Sequence, residues 1–185
     1  SSDALLSLLP NANLHPYLPD ALICESVRDY LRTDAFREGL FSVQDSASQL
    51  CVHALQPQPG ETLLDLCAAP GGKSILAAQM MGCKGKVLSF DLHPHRADLI
   101  RKSAEKMGVT NLETAAADST VLNESLRNSA DAIICDVPCS GIGIIRKKPD
   151  IRYKDPDDMQ RLPDLQLKIL YKQAEYVKPG GVLLY

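Results

Sequence analysis

From residue 44 onward the chain alternates short apolar runs with segments of helical period, and Gly, Pro and Asp punctuate the junctions. The runs predict strands over 62–66, 86–90, 112–116, 132–135 and 182–185. The periodic segments predict helices over 44–55, 73–81, 94–107 and 162–177, with Gly108 as the stop signal of the third. Strands and helices in alternation give an α/β fold with a doubly wound, mostly parallel sheet, whose ligands sit beyond the carboxyl ends of the strands. Residues 1–40 lack this rhythm and hold several prolines, so they are expected to be a linker or the tail of a preceding module. Residues 41–185 form the α/β core.

Composition narrows the function classes. With 185 residues, 45% hydrophobic and 23% charged, one domain with a sizeable core is expected. No apolar run approaches the roughly 20 residues of a membrane span. The first residues do not read as a secretory signal, so no membrane partner and a cytoplasmic location are expected. A net charge of −3 gives no global pull toward a polyanion, and any nucleic-acid contact must be local. The six cysteines are scattered without paired spacing, which predicts free thiols. His93 and His95 flank a proline with no Cys or His nearby to complete a ligand set, so no metal is expected.

Candidate chemistry begins at DLCAAPGGKS, residues 65–74, which ends in the last letters of a phosphate-binding P-loop. The P-loop needs a Gly separated by four residues from its Gly-Lys pair, and Cys67 stands there. Ala68, Ala69 and Pro70 further stiffen the turn. The strand over 132–135, followed by Asp136, keeps the triphosphate alternative open, because a magnesium-holding strand has that form. An adenosyl ligand is the other reading. Gly71-Gly72 allows close backbone approach at a helix start, and Asp91 closes the next strand at the roughly 20-residue spacing of a ribose-binding acid. Asp65, Asp91, Asp118 and Asp136 all close strands, which suits a cationic ligand better than a triphosphate. Any one of them could equally be a turn former or helix cap.

Three stretches taken together, GLFSVQDSASQL, DLCAAPGGKS and DVPCSGIGIIRKKPDIR, resemble the RsmB/Sun branch of the RNA cytosine-5 methyltransferases from about residue 39 to residue 185. The resemblance implies a class I methyltransferase (Rossmann-like) fold. It also implies methyl transfer from S-adenosyl-L-methionine to carbon-5 of a cytosine in RNA, here small-subunit ribosomal RNA. It places Cys67, Ala68, Ala69, Pro70, Gly71, Gly72 and Lys73 around the methionine and adenosyl parts of the cofactor. Asp91 falls on the ribose, Asp118 on the adenine edge, and Asp136 between cofactor and target base.

Carbon-5 of cytosine is a weak nucleophile until a thiolate adds to carbon-6, which is why such an enzyme needs cysteine. An acid near the base nitrogen assists as charge develops, the role expected of Asp136. The target base must be unpaired or flipped out. Cys139 is the thiol at this edge, and the resemblance gives it a part in product release. The attacking thiol follows the next strand in a Thr-Cys motif beyond Tyr185, so residues 1–185 are expected to bind cofactor without completing methylation. Arg146, Lys147 and Lys148 follow Cys139 closely and are expected to contact RNA phosphates.

Overall fold

The computed structural model describes residues 2–146 and 148–185. Residues 2–40 hold helix α1 (Ser2–Leu8), the antiparallel pair β1 (Ala12–Leu14) and β2 (Leu22–Cys24), and the single turn α2 (Asp34–Arg37). Leu9, Ala12 and Tyr30 are buried together, with Leu5, Leu22 and Phe41 against them. This segment docks on the core at Gly39. Its φ is +76°, and a Cβ there would stand 1.9 Å from the Lys106 carbonyl oxygen, so only glycine allows the approach. Lys106 in turn lays its ammonium 3.4 Å from the centroid of the Phe36 ring.

The core is one sheet of five parallel strands, β3 (Thr62–Asp65), β4 (Lys86–Asp91), β5 (Leu112–Ala116), β6 (Ala130–Ile134) and β7 (Val177–Leu184), in the order β5-β4-β3-β6-β7. The chain runs outward from β3 through β4 to β5, then returns to β6 on the other side. The switch point therefore lies at the carboxyl end of β3.

Neighbouring residues on each strand face opposite sides of the sheet, and on the inner strands β3, β4 and β6 both sides are buried. Leu63, Val87 and Ala132 pack with α3 (Ser46–Leu55), α4 (Gly72–Met80) and α5 (Pro94–Lys106). Leu64, Leu88 and Ile133 pack with Leu122, Leu126 and Tyr176 on the opposite side. Burial on both faces explains why the strands read as near-continuous apolar runs. The Asp45 side chain accepts from the Ala47 N–H at 3.0 Å and starts α3. Pro94 opens α5, and Gly108 at φ +67° follows its end. Helices α6 (Pro156–Gln160) and α7 (Leu162–Ala174) precede the last strand.

One predicted boundary is corrected. The helix expected to run to Val177 ends at Ala174, and the strand expected from Val182 begins at Val177. Val177 pairs with Ala130 and Val182 with Ala132, so the intervening Lys178-Pro179-Gly180-Gly181 loops out as an irregularity inside the strand. The proline and glycines read as a break between elements, whereas they form a bulge within one. Asp131 holds this bulge in place. It takes Lys178 Nζ on both carboxylate oxygens at 2.8 Å and the Thr62 N–H at 2.8 Å, which lowers its pKa below the usual carboxylate range. Asp131→Ala leaves the Thr62 N–H without its acceptor and releases the bulge, at an expected cost of about 1–3 kcal/mol. Urea unfolding should show a lower midpoint with an unchanged slope.

Candidate active site

Parallel strands put the carboxyl ends of β3, β4, β5 and β6 on one edge. The loop from Cys67 to Gly71 crosses that edge between β3 and α4. It is tied by its own backbone and by its neighbour strand. The Ala68 N–H donates to the Phe90 carbonyl at 2.9 Å, and the Gly71 N–H to the Ala68 carbonyl at 2.7 Å. The Ala69 N–H reaches the Asp91 carboxylate at 3.2 Å. Gly71 has φ +98°, and a Cβ there would meet Ile100 at 2.9 Å, so glycine is required by both conformation and space. Gly72 lies against Gln44, and Pro70 is exposed.

The four strand-end acids stand on this edge in four different environments. Asp65 is fully buried and accepts from the Ser74 hydroxyl at 2.7 Å, while its Oδ1 has no hydrogen-bond partner. Burial pushes its carboxyl up to about 7. The Ser74 hydrogen bond opposes this and the nearby Asp136 charge adds to it. Asp91 is buried too, but Arg96 lies over it with Nη1 3.1 Å from Oδ1. Arg96 also donates from Nη2 to the Ala69 carbonyl at 3.1 Å. One guanidinium thus links the strand-end acid to the loop. Asp118 is exposed, and its Oδ1 accepts from the Thr120 N–H and hydroxyl, both at 2.8 Å. Those bonds lower its pKa. Asp136 is exposed and pairs with Lys73 at 2.6 Å.

Three cysteines lie near the edge. Burial pushes the Cys67 thiol up to about 11 and the Cys135 thiol up to about 12, so both stay protonated at neutral pH. Cys67 donates to the Ser119 hydroxyl at 3.6 Å, and Ser119 donates to the Leu66 carbonyl at 2.5 Å. Cys139 is exposed. Its turn is held from two sides, by Gln166 of α7 donating to the Pro138 carbonyl at 2.8 Å and by Lys154 donating to the Ser140 carbonyl at 2.9 Å. Arg146 and Lys148 are exposed just beyond. Lys147 lies outside the described residues.

The edge fits an adenosyl ligand by the chemistry of its groups. Asp91 Oδ1 is buried and has a charge partner but receives no hydrogen bond, which leaves acceptor capacity for a ribose hydroxyl. The Gly71-Gly72 backbone at the start of α4 presents no side chain to a ligand. Leu92, 55% exposed, offers an apolar surface directly after Asp91. A separate cavity of ≈ 250 Å³ lies behind the loop, among Phe36, Phe41, Gln44, Pro70, Ile75 and Met107. Its lining is mostly apolar, with Ser42, Gln44, Ser103 and Lys106 among it, and holds no carboxylate, so it does not share this chemistry.

Sequence reasoning missed Arg96, Ser119, Lys154 and Gln166. A signal for Arg96 existed, because a cation in the first turn of a helix opposes the helix dipole and needs a specific anion. Lys73 in the first turn of α4 carries the same signal, answered by Asp136.

Comparison with known proteins gives the family and the fold. The profile of the 16S rRNA methyltransferase RsmB/F family matches residues 52–185. The chain belongs to that family. A probable ribosomal RNA small subunit methyltransferase B of Bacillus subtilis is 46% identical over 155 residues, 83% of this chain and 35% of that protein. Ribosomal RNA small subunit methyltransferase B of Klebsiella pneumoniae is 35% identical over 191 residues, 100% of this chain and 44% of that protein. The chain therefore spans less than half the length of these RsmB/F relatives. A methyltransferase homologue of Pyrococcus horikoshii has the same fold, with a TM-score of 0.80 at 30% identity over 99% of this chain and 59% of that one. The class I methyltransferase fold implied by the resemblance is the fold observed.

The buried Asp65 has a consequence for stability. Its folded pKa, about 7, lies above the unfolded value near 3.9, so the folded state holds a proton that the unfolded state has released. This contribution is complete below about pH 4 and is lost as pH rises through 7, at a slope of up to about 1.4 kcal/mol per pH unit. Unfolding free energy measured from pH 4 to 8 should fall across that window in the wild type. Asp65→Asn should flatten that fall.

Proposed function

We propose that this chain is the cofactor-binding part of an enzyme that methylates carbon-5 of a cytosine in small-subunit ribosomal RNA. The observation that carries the reading is the loop from Cys67 to Lys73 at the switch point of the sheet, tied through Ala69 and Arg96 to the buried Asp91 at the end of the neighbouring strand β4. When bound, S-adenosyl-L-methionine supplies an electrophilic methyl group on a sulfonium.

The residues divide the work. Ala68 to Gly72 give the cofactor a side-chain-poor backbone surface, and Asp91 accepts from its ribose hydroxyls. Asp118 lies at the adenine edge. Asp136 faces the base, and Lys73 fixes its carboxylate. An ionised carboxylate only accepts hydrogen bonds, so Asp136 assists the base nitrogen, as negative charge develops there, by delivering a proton carried on its acid form. An attacking thiolate adds to carbon-6 and makes carbon-5 nucleophilic; once carbon-5 carries the methyl group, loss of its proton and expulsion of the thiolate restore the ring. Cys67 and Cys135 are poor candidates for that thiol, since burial keeps them protonated. The family resemblance assigns the attack to a Thr-Cys motif that follows the last strand and gives the exposed Cys139 a role in product release. Arg146, Lys147 and Lys148 contact RNA phosphates, which makes RNA the partner. The triphosphate alternative gains nothing from the geometry, because Lys73, which would reach the phosphates, is paired with Asp136.

Calorimetric titration tests this reading. The 185-residue chain should bind S-adenosyl-L-methionine saturably and magnesium-ATP not at all, and Asp91→Ala should weaken the cofactor at least tenfold, the loss of one hydrogen bond to a charged acceptor. It should show no turnover on RNA. Binding of ATP alone would overturn the proposal.

A further inference from the structure

Residues 146–154 carry Arg146, Lys147, Lys148, Arg152 and Lys154 against a single acid, Asp150. Asp155, the next acid, is engaged within the chain, accepting from the Asp157 N–H at 2.9 Å. The turn Pro149–Tyr153 is anchored to the turn that holds Cys139. Ile151 is buried against Gly141, where a Cβ would meet it at 3.2 Å, and Lys154 donates to the Ser140 carbonyl.

From this anchor Tyr153 projects with 78% of its surface exposed. The Arg152 guanidinium stands 5.4 Å from the ring centroid, held by a hydrogen bond from its Nε to the Pro149 carbonyl at 3.1 Å. Ile142, Ile144 and Ile145 are exposed in the preceding turn. A surface that touched only phosphates would need the cations and nothing more. One exposed tyrosine is ordinary. A ring held beside a guanidinium, among cations and exposed isoleucines, presents both a face for a base and charges for its phosphates.

We infer that Tyr153, with Arg152, is a stacking platform for an unpaired nucleotide of the RNA, next to the base presented at Cys139. This rests on the RNA reading above and adds to it a base contact, distinct from the phosphate contacts of Arg146 to Lys148. The platform sets which nucleotides around the target can be accommodated, because it requires an unstacked neighbour.

The test uses short single-stranded RNAs carrying 2-aminopurine at successive positions, whose fluorescence is quenched on stacking. The wild-type chain should bind and quench the probe at one position. Tyr153→Ala should weaken binding about tenfold, abolish that quenching and leave the salt dependence unchanged. Tyr153→Phe should retain both affinity and quenching, and unfolding midpoints at the wild-type value would show that neither variant is misfolded. Lys148→Ala should instead reduce the salt slope by about one and keep the quenching. Unchanged affinity and quenching in Tyr153→Ala overturn the platform and leave the RNA reading standing. Absence of RNA binding by the wild type overturns both.

Discussion

Four carboxyl groups stand on one edge of a parallel sheet, and the arrangement of the site follows from how each is neutralised or satisfied. Asp65 is buried and holds its proton near neutral pH. Asp91 is covered by Arg96. Asp136 is paired with Lys73. Asp118, farthest out on β5's side, is exposed and accepts from Thr120. The two cations come from the first turns of α4 and α5, positions where the helix dipole disfavours them. They are stable there because each meets a strand-end acid. The same contacts fix the loop from Cys67 to Gly71, so charge containment and formation of a ligand cradle are one structural event.

The segment before residue 41 extends this order to the back of the loop. Gly39 seats on the end of α5, and Phe36 and Phe41 close an apolar cavity against Pro70 and Ile75. The cradle is thus supported from behind by packing and from the side by ion pairs. On the far side of the edge, the Cys139 turn is held by Lys154 and Gln166. The two halves of the edge have different supports, and the Lys73–Asp136 pair joins them.

Much of this was legible in the residues. Burial on both faces makes the strands of a parallel sheet continuous apolar runs, and the spacing from Gly72 to Asp91 follows from one helix and one strand between them. The pairing of Lys73 with Asp136 was not legible, because it depends on β6 lying beside β3, a fact of sheet order and not of local sequence. Val177 was placed in a helix because Pro179-Gly180-Gly181 looks like a break between elements, and only pairing with Ala130 shows it to be a bulge. The small structure before residue 41 escaped notice since strands of three residues are too short to display a period.

The central claim is that the cofactor sits on the carboxyl edge and not in the cavity behind it. Backbone amide chemical shifts of the isotopically labelled chain, followed during titration with S-adenosyl-L-methionine, test this directly. The account predicts the largest changes at Ala68, Ala69, Gly71, Gly72, Asp91 and Leu92. Changes confined to Phe36, Phe41, Gln44 and Met107, or none at the edge at saturation, would contradict it.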